Sequence, residues 1–341
     1  MSADVRTAAV SAEAAPTVRT MTLAKAINAG MRDGLAADPK ALLMGEDIGA
    51  LGGVYRVTEG LAAEFGPDRV MDTPLAESGI IGTAIGLALR GYRPVCEIQF
   101  DGFVFPAFNQ ITTQLAKMHS RSDGALSAPV VIRIPYGGGI GSIEHHSESP
   151  EALFAHTAGV RIITPSSPQD GYWMIRQAMT GSDPVIFFEP KRRYWLKGEV
   201  DTSAPASDPW TAQVLRSGTD ATIAAYGPLV PVALAAANAA AEDGRSVEVV
   251  DLRSISPIDF DTLTDSVRRT GRLIIAHEAP TFGGIGGEIA ARITERAFLS
   301  LEAPVLRVGG FHMPYPVAKV EDSYLPDLDK LLDALDRSFA Y

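Results

Sequence analysis

The 341-residue sequence holds a single cysteine, Cys96, which excludes an internal disulfide and a cysteine-built metal cluster. That cysteine sits in the apolar run Arg93-Pro94-Val95-Cys96-Glu97-Ile98, where a thiol serves as a small core hydrophobe. No apolar run reaches the ~18–20 residues of a membrane helix, and residues 1–19 lack a continuous apolar signal core. Those residues are expected to form a flexible N-terminal tail on a cytoplasmic protein with no membrane role. Positive charge is scarce as well. Lys and Arg number 30 against 41 Asp and Glu, a formal charge of −11 that argues against nucleic acid or an anionic membrane as the main partner. The basic cluster Lys191-Arg192-Arg193 reads as a solvated turn. Gly-Lys-Ser and Gly-Lys-Thr are missing, which removes the P-loop; Gly-x-Ser-x-Gly is missing, which removes the nucleophile elbow of a serine hydrolase.

Apolar residues, by contrast, make up 46% of the chain, enough for a core spread over two domains at this length. From Thr22, a plausible N-cap, Leu23, Ile27, Met31 and Leu35 recur at spacings of four and predict a helix. Short apolar runs then alternate with helical patterns: Ala41 to Met44, Arg93 to Phe100, Val130 to Ile134, Val160 to Ile163 and Pro184 to Phe188 read as strands. Phe105 to Ser120 reads as a helix. This cadence predicts an α/β protein with a mostly parallel, doubly wound sheet over residues 20–193. Residues 194–210 break the rhythm with prolines and acidic groups and are expected to be a linker. A second doubly wound α/β unit follows over 211–341, with strands expected at Ala221 to Tyr226, Val247 to Val250, Arg272 to Ala276 and Pro304 to Val308.

One stretch combines a strand end with a carboxylate. Arg69-Val70-Met71 runs through Asp72-Thr73-Pro74 into a small-residue helix, and Glu77 stands at the junction. In open α/β sheets ligands bind beyond the carboxyl ends of strands, so Glu77 is a candidate chemical group. Acidic side chains also favour first helical turns for the helix dipole alone. The glycine-rich loops Gly137 to Gly141 and Gly283 to Gly287 follow strands and are conceivable phosphate cradles, though glycine there more often serves backbone geometry. His145-His146-Ser147 lies on the first of these loops. Adjacent histidines rarely converge on one metal, which leaves a loop histidine able to move a proton near neutral pH. His119, His156, His277 and His312 are expected to be structural.

Taken in order, the strand-end motifs resemble one family. They include Asp72-Thr73-Pro74-Leu75-Ala76-Glu77, Glu97-Ile98-Gln99-Phe100, His146-Ser147-Glu148-Ser149-Pro150-Glu151-Ala152 and Asp183-Pro184-Val185-Ile186-Phe187-Phe188-Glu189-Pro190-Lys191. Glu248-Val249-Val250-Asp251-Leu252-Arg253 and Gly271 through Pro280 continue the match. The chain is similar, from about Thr20 to Tyr341, to the beta subunit of the thiamine-diphosphate-dependent 2-oxo-acid dehydrogenases, in their decarboxylating component. Phe105-Pro106-Ala107-Phe108 and the stretch from Ser149 to His156 look most like the branched-chain, 2-oxoisovalerate type, a 3-methyl-2-oxobutanoate dehydrogenase of branched-chain amino acid catabolism.

The resemblance implies a transketolase-like pyrimidine-binding domain followed by a transketolase C-terminal-like domain. It implies that Glu77 hydrogen-bonds the cofactor's aminopyrimidine and favours its imino tautomer. Leu75, Gln99 and Phe103 match residues lining the pyrimidine pocket; branched-chain relatives often carry tyrosine where Phe103 stands. His146 matches a histidine assisting acyl transfer to the lipoyl group. The family's diphosphate and magnesium are held by a Gly-Asp-Gly motif that occurs nowhere here. The resemblance therefore implies an alpha subunit carrying that half of the site, in an alpha2-beta2 heterotetramer, and a lipoyl-bearing acyltransferase core as a further partner. A structural potassium ion is implied near Ala128, Val130, Val131, Ala178, Gly181 and Asp183, held largely by backbone carbonyls. Two other readings stay open: the same chemistry on pyruvate or acetoin, and a non-catalytic flavin- or nucleotide-binding α/β module with no use for Glu77.

Overall fold

A computed structural model describes residues 17–341 of the chain, so most of the expected tail lies outside the described residues. In chain order the strands of the first half are Val18–Thr22 (β1), Ala41–Gly45 (β2), Val70–Asp72 (β3), Arg93–Glu97 (β4), Val131–Tyr136 (β5), Arg161–Ile163 (β6), Val185–Pro190 (β7) and Lys197–Asp201 (β8). Gln213–Arg216 (β9), Ala221–Ala225 (β10), Val247–Asp251 (β11), Ser254–Ser256 (β12), Leu273–Pro280 (β13) and Leu306–Gly310 (β14) follow. Helices Leu23–Ala37 (α1), Leu61–Phe65 (α2), Glu77–Leu89 (α3), Met118–Arg121 (α4), Glu151–Ala155 (α5) and Pro168–Thr180 (α6) serve the first half. Val230–Glu242 (α7), Phe260–Thr270 (α8), Ile285–Ala297 (α9), Glu321–Tyr324 (α10) and Leu328–Phe339 (α11) serve the second.

Two mostly parallel sheets form, of seven strands in the order β12-β6-β7-β5-β4-β2-β3 and of five in the order β14-β13-β10-β11-β9. Each has one antiparallel edge strand, β12 and β9 respectively. The strands of the first sheet alternate between two cores, as a sheet covered on both faces must. Leu43, Val95 and Val131 face α1 and α6, whereas Leu42, Met44, Cys96 and Ile132 face α3. The α3-side core continues without a break into Ala224, Val250, Ile275 and α9, so the two sheets share one hydrophobic interior. Thr22 caps α1 as expected, its hydroxyl oxygen accepting from the Lys25 amide at 3.3 Å.

Four local expectations give way. Val18–Thr22 and Lys197–Asp201 are strands, paired antiparallel in a two-stranded ribbon, so neither the last residues of the expected tail nor the expected linker is irregular throughout. Neither strand has an alternating apolar pattern; the pairing is made by backbone. Ser254–Ser256, from the second half of the chain, joins the edge of the first sheet against β6. Phe105 to Ser120 is not one helix but successive 3-10, π and α turns, with Pro106 inside the first; Val104, Ala107, Ile111 and Leu115 lie in the core. Lys191-Arg192-Arg193 is no solvated turn, because Lys191 is 1% exposed and each member is engaged by a carboxylate or carbonyl.

Candidate active site

Strand register brings the site together. Gly45 lies opposite both Asp72 and Glu97, and Glu97 lies opposite Arg133, so β3, β2, β4 and β5 end in one row. Glu46, Glu77 and Gln99 leave the sheet just beyond that row, in the crevice where open α/β sheets bind ligands. Glu77 opens α3 behind an extended Ala76, and its side chain is 7% exposed. Two residues earlier Leu75 is 80% exposed. The buried carboxylate thus stands beside an uncovered apolar side chain. The helix it begins is partly exposed: Gly79, Thr83, Gly86 and Leu89 face outward.

Glu46 has a buried carboxylate oxygen, Oε1, with no hydrogen-bond partner. Burial raises its pKa, and the nearby charges of Glu77, Asp47 and Glu97 push in the same direction. The Gln99 side-chain amide approaches the Glu46 carbonyl at 3.5 Å, a loose contact. Further along the edge, Arg133 donates to Glu189 at 2.6 and 2.9 Å and to Glu97 at 2.6 Å. Tyr194 adds its hydroxyl to Glu189, so this buried charge cluster is satisfied and fixes the strand ends.

His146 stands in an aromatic corner, 4.2 Å from the Phe100 ring and 5.2 Å from the Phe103 ring, centroid to centroid. Its buried Nδ1 has no hydrogen-bond partner. Burial lowers its pKa, with Lys191 and His145 adding to the effect, so the imidazole is neutral at neutral pH. Beneath the corner, Lys191 pairs with Asp101 inside the protein. Burial pushes the Asp101 carboxyl up to about 7, against the opposing pull of Lys191. The other Asp101 oxygen accepts from the Glu148 amide at 2.9 Å, tying the start of the loop's return to the aromatic corner.

Residues 19–195 match the transketolase pyrimidine-binding domain and residues 211–331 the transketolase C-terminal domain. The chain is 63% identical to a pyruvate dehydrogenase E1 component subunit beta of Leifsonia xyli, over 97% of this chain and 98% of that protein. It is 52% identical to a 3-methyl-2-oxobutanoate dehydrogenase subunit beta of Mycobacterium tuberculosis, over 94% and 92%. The chain belongs to the transketolase-like beta subunits of the 2-oxo-acid dehydrogenases. A solved structure titled "Split gene transketolase, inactive beta4 tetramer" superimposes with a TM-score of 0.78 at 23% identity, covering 94% of this chain and 98% of that one, and shares the fold. Membership in this thiamine-diphosphate-dependent family sets aside the flavin- or nucleotide-binding module.

The beta subunit's own residues fit the pyrimidine half of the cofactor. A sheltered carboxylate, an aromatic face at Phe103 and an orphaned buried oxygen on Glu46 suit a flat, nitrogen-rich ring. They do not fit the diphosphate half. The amides of Gly138, Gly139 and Gly141 are already taken, the first by Glu278 and the other two by Glu321 at 2.8 and 3.0 Å. Gly283 to Gly287 begins α9, where the Gly286 amide donates to buried His277. Among the described residues no group of three or more His, Cys, Asp or Glu is placed to hold a metal, and no helix is long and apolar enough to cross a membrane.

The residues named for potassium divide. Ala128 and Asp183 line a cavity of about 250 Å³ with His119 and Ser182. The Gly181 carbonyl accepts from the Arg93 guanidinium at 2.6 Å, and the Val130 carbonyl from the Val185 amide at 2.9 Å. The Asp183 carboxylate pairs with Arg161 at 2.8 Å. Val131 is committed to the ladder between β4 and β7, and Ala178 lies on the core face of α6. An ion there would share Gly181 with a guanidinium.

Sequence reasoning missed Glu46, Asp101, Lys191, Glu278 and Glu321. Glu46 and Glu278 do carry a signal, since each sits at the carboxyl end of a strand. The rest are identified only by what reaches them from distant segments.

Proposed function

We propose that this beta subunit serves pyruvate, in a decarboxylating component that forms an alpha2-beta2 heterotetramer and passes its acyl group to the lipoyl domain of an acyltransferase core. The 63% identity to a pyruvate-type beta subunit, against 52% to a branched-chain one, carries the choice and displaces the branched-chain expectation. Thiamine diphosphate, when bound, supplies the electron sink for loss of carbon dioxide. Glu77 would hydrogen-bond a ring nitrogen, in a sheltered setting that makes the contact directional. Phe103, Leu75 and Gln99 are given the wall of the pyrimidine pocket, and neutral His146 is available to move a proton as the acyl group leaves. The alpha subunit is assigned the diphosphate and its magnesium. That division is supported by the committed amides of the glycine loop and by the exposed Leu75 next to Glu77.

Co-expression with an alpha-type subunit and a substrate panel test the proposal. The pair is expected to turn over pyruvate with kcat/KM at least about tenfold above 2-oxoisovalerate, the order of discrimination a few methyl groups permit. The opposite ratio would restore the branched-chain reading. Turnover by the beta subunit alone would sink the shared site.

A further inference from the structure

Glu321 lies in the C-terminal domain, at the start of α10, yet both of its carboxylate oxygens reach the loop that carries His146. Oε1 accepts from the Gly139 amide at 2.8 Å and Oε2 from the Gly141 amide at 3.0 Å. The Tyr315 hydroxyl donates to Oε1 at 2.6 Å, and Glu321 itself is 5% exposed. We propose that Glu321, supported by Tyr315, is a positioning residue for acyl transfer, fixing from the second domain the loop that presents His146. The proposal rests on the role given above to His146.

The loop is tied at its neck, by the Gly137 amide on the Glu148 carbonyl at 2.9 Å and the Gly138 amide on Glu278, but the glycines beyond have no bond within the loop. Gly137, Gly139 and Gly141 all have positive φ, near +82°, +79° and +71°, and glycine-rich backbone is entropically costly to order. Charge-assisted bonds to a buried carboxylate meet that cost at two alternate residues at once. At Gly138 a Cβ would lie 1.7 Å from the Tyr315 hydroxyl, so the close approach requires glycine. Beyond Gly141 the loop closes on itself. The His146 amide donates to the Ile143 carbonyl at 3.0 Å, and the Ser147 hydroxyl to the Ser142 carbonyl at 3.3 Å. A shift at Gly141 is therefore passed to His146 within one short arc. On its other side His146 meets the Phe100 and Phe103 rings, which limit its position, and its Nδ1 has no hydrogen bond.

Acyl transfer to a lipoyl disulfide forms a carbon–sulfur bond and breaks the sulfur–sulfur bond. The electron pair left by decarboxylation reduces the disulfide; the proton released as the acyl carbonyl forms goes to the departing sulfur, and a neutral imidazole can accept it from the one and pass it to the other. A proton carrier displaced by even an ångström acts poorly in such a step.

The test uses the assembled heterotetramer and Glu321→Gln. The glutamine keeps one acceptor oxygen but turns an NH2 toward the other amide, so one of the two bonds must break. Acylation of a free lipoyl domain is expected to fall about tenfold. Decarboxylation coupled to an artificial electron acceptor should fall much less, so the ratio of the two rates drops, and deuterium exchange of amides 137–147 quickens. Tyr315→Phe should move ratio and exchange the same way by less. Parallel loss of both rates, or unchanged exchange, would overturn the proposal and leave Glu321 a general brace. His146→Ala measured alongside separates the two ideas. An unchanged ratio there defeats the His146 reading, and Glu321 is then judged on exchange alone, faster exchange upholding it as the loop's anchor and unchanged exchange overturning it.

Discussion

The two domains place ionisable groups at the same topological position and use them differently. At the carboxyl end of β3 the chain enters α3 through Asp72-Thr73-Pro74 and sets Glu77 in a sheltered crevice. At the carboxyl end of β13 it enters α9 after His277-Glu278-Ala279-Pro280. There the ionisable groups are paired within the protein. His277 donates from Nδ1 to the Ala279 carbonyl at 2.9 Å and accepts at Nε2 from the Gly286 amide at 3.3 Å, a neutral imidazole capping a helix. Burial pushes its pKa down to about 4, against the pull of the Ala279 bond. Glu278 accepts from Gly138 and pairs with Arg192 at 3.1 Å. Glu278 Oε2 faces Arg192 as an ion pair without a well-formed hydrogen bond, whereas in the first domain Glu46 Oε1, near Glu77, and His146 Nδ1 are buried with neither hydrogen bond nor opposite charge. A strand end marks where a site can form; unpaired buried polar atoms mark where one is waiting for a ligand.

The sharpest way to break this contrast is Glu77→Gln in the assembled enzyme. Decarboxylation should fall by about 10²–10⁴, the range for a lost acid–base group. Unfolding free energy should change by less than about 1 kcal/mol, the worth of a first-turn charge. Near-normal turnover would make Glu77 a helix-start residue like any other.

The glycine loops come next. Gly138→Ala must move Tyr315 and should cost about 3 kcal/mol, as overpacking does. Gly283→Ala meets open space and pays only for its φ of +69°, about 1 kcal/mol. Urea midpoints of the two variants compare them directly, and equal losses would erase the distinction between a clamped loop and a helix start.

A last effect, read as a slope per pH unit, concerns an acid buried in the seam. Glu151 accepts from the Tyr226 hydroxyl at 2.6 Å, and burial raises its pKa from 4.5 to about 8. The folded state therefore keeps a proton that the unfolded state releases, so stability declines as pH rises from about 4.5 to 8, by up to about 1.4 kcal/mol per pH unit. Glu151→Gln cannot titrate and should flatten that slope in denaturation series between pH 5 and 8. Identical slopes would show that Glu151 is ionised in the fold.

Much of this was readable along the chain because it depends on neighbours in sequence. Thr22 caps α1 by reaching three residues ahead, and the apolar runs of β2, β4, β5 and β7 identify strands covered on both faces. Cys96 follows the same rule; it is buried, with its thiol pKa pushed up by burial. Glu77 was visible because a strand, a proline and a small-residue helix meet there within a few residues. Backbone pairing without side-chain pattern was not visible. The ribbon of β1 and β8 and the edge strand β12 depend on segments that meet only after folding.

The sequence by itself determined the α/β architecture, because periodicity is local; its strand-end motifs carried the resemblance to the family and put Glu77 at a strand end and His146 on a loop. Tertiary structure alone decided which charges are spent and which are free. Lys191 looked solvated until Asp101, 90 residues away, buried it, and the glycine loop looked open to phosphate until Glu278 and Glu321 took its amides. The reason is that a buried polar atom must find a partner, and no stretch of sequence states which distant atom that will be.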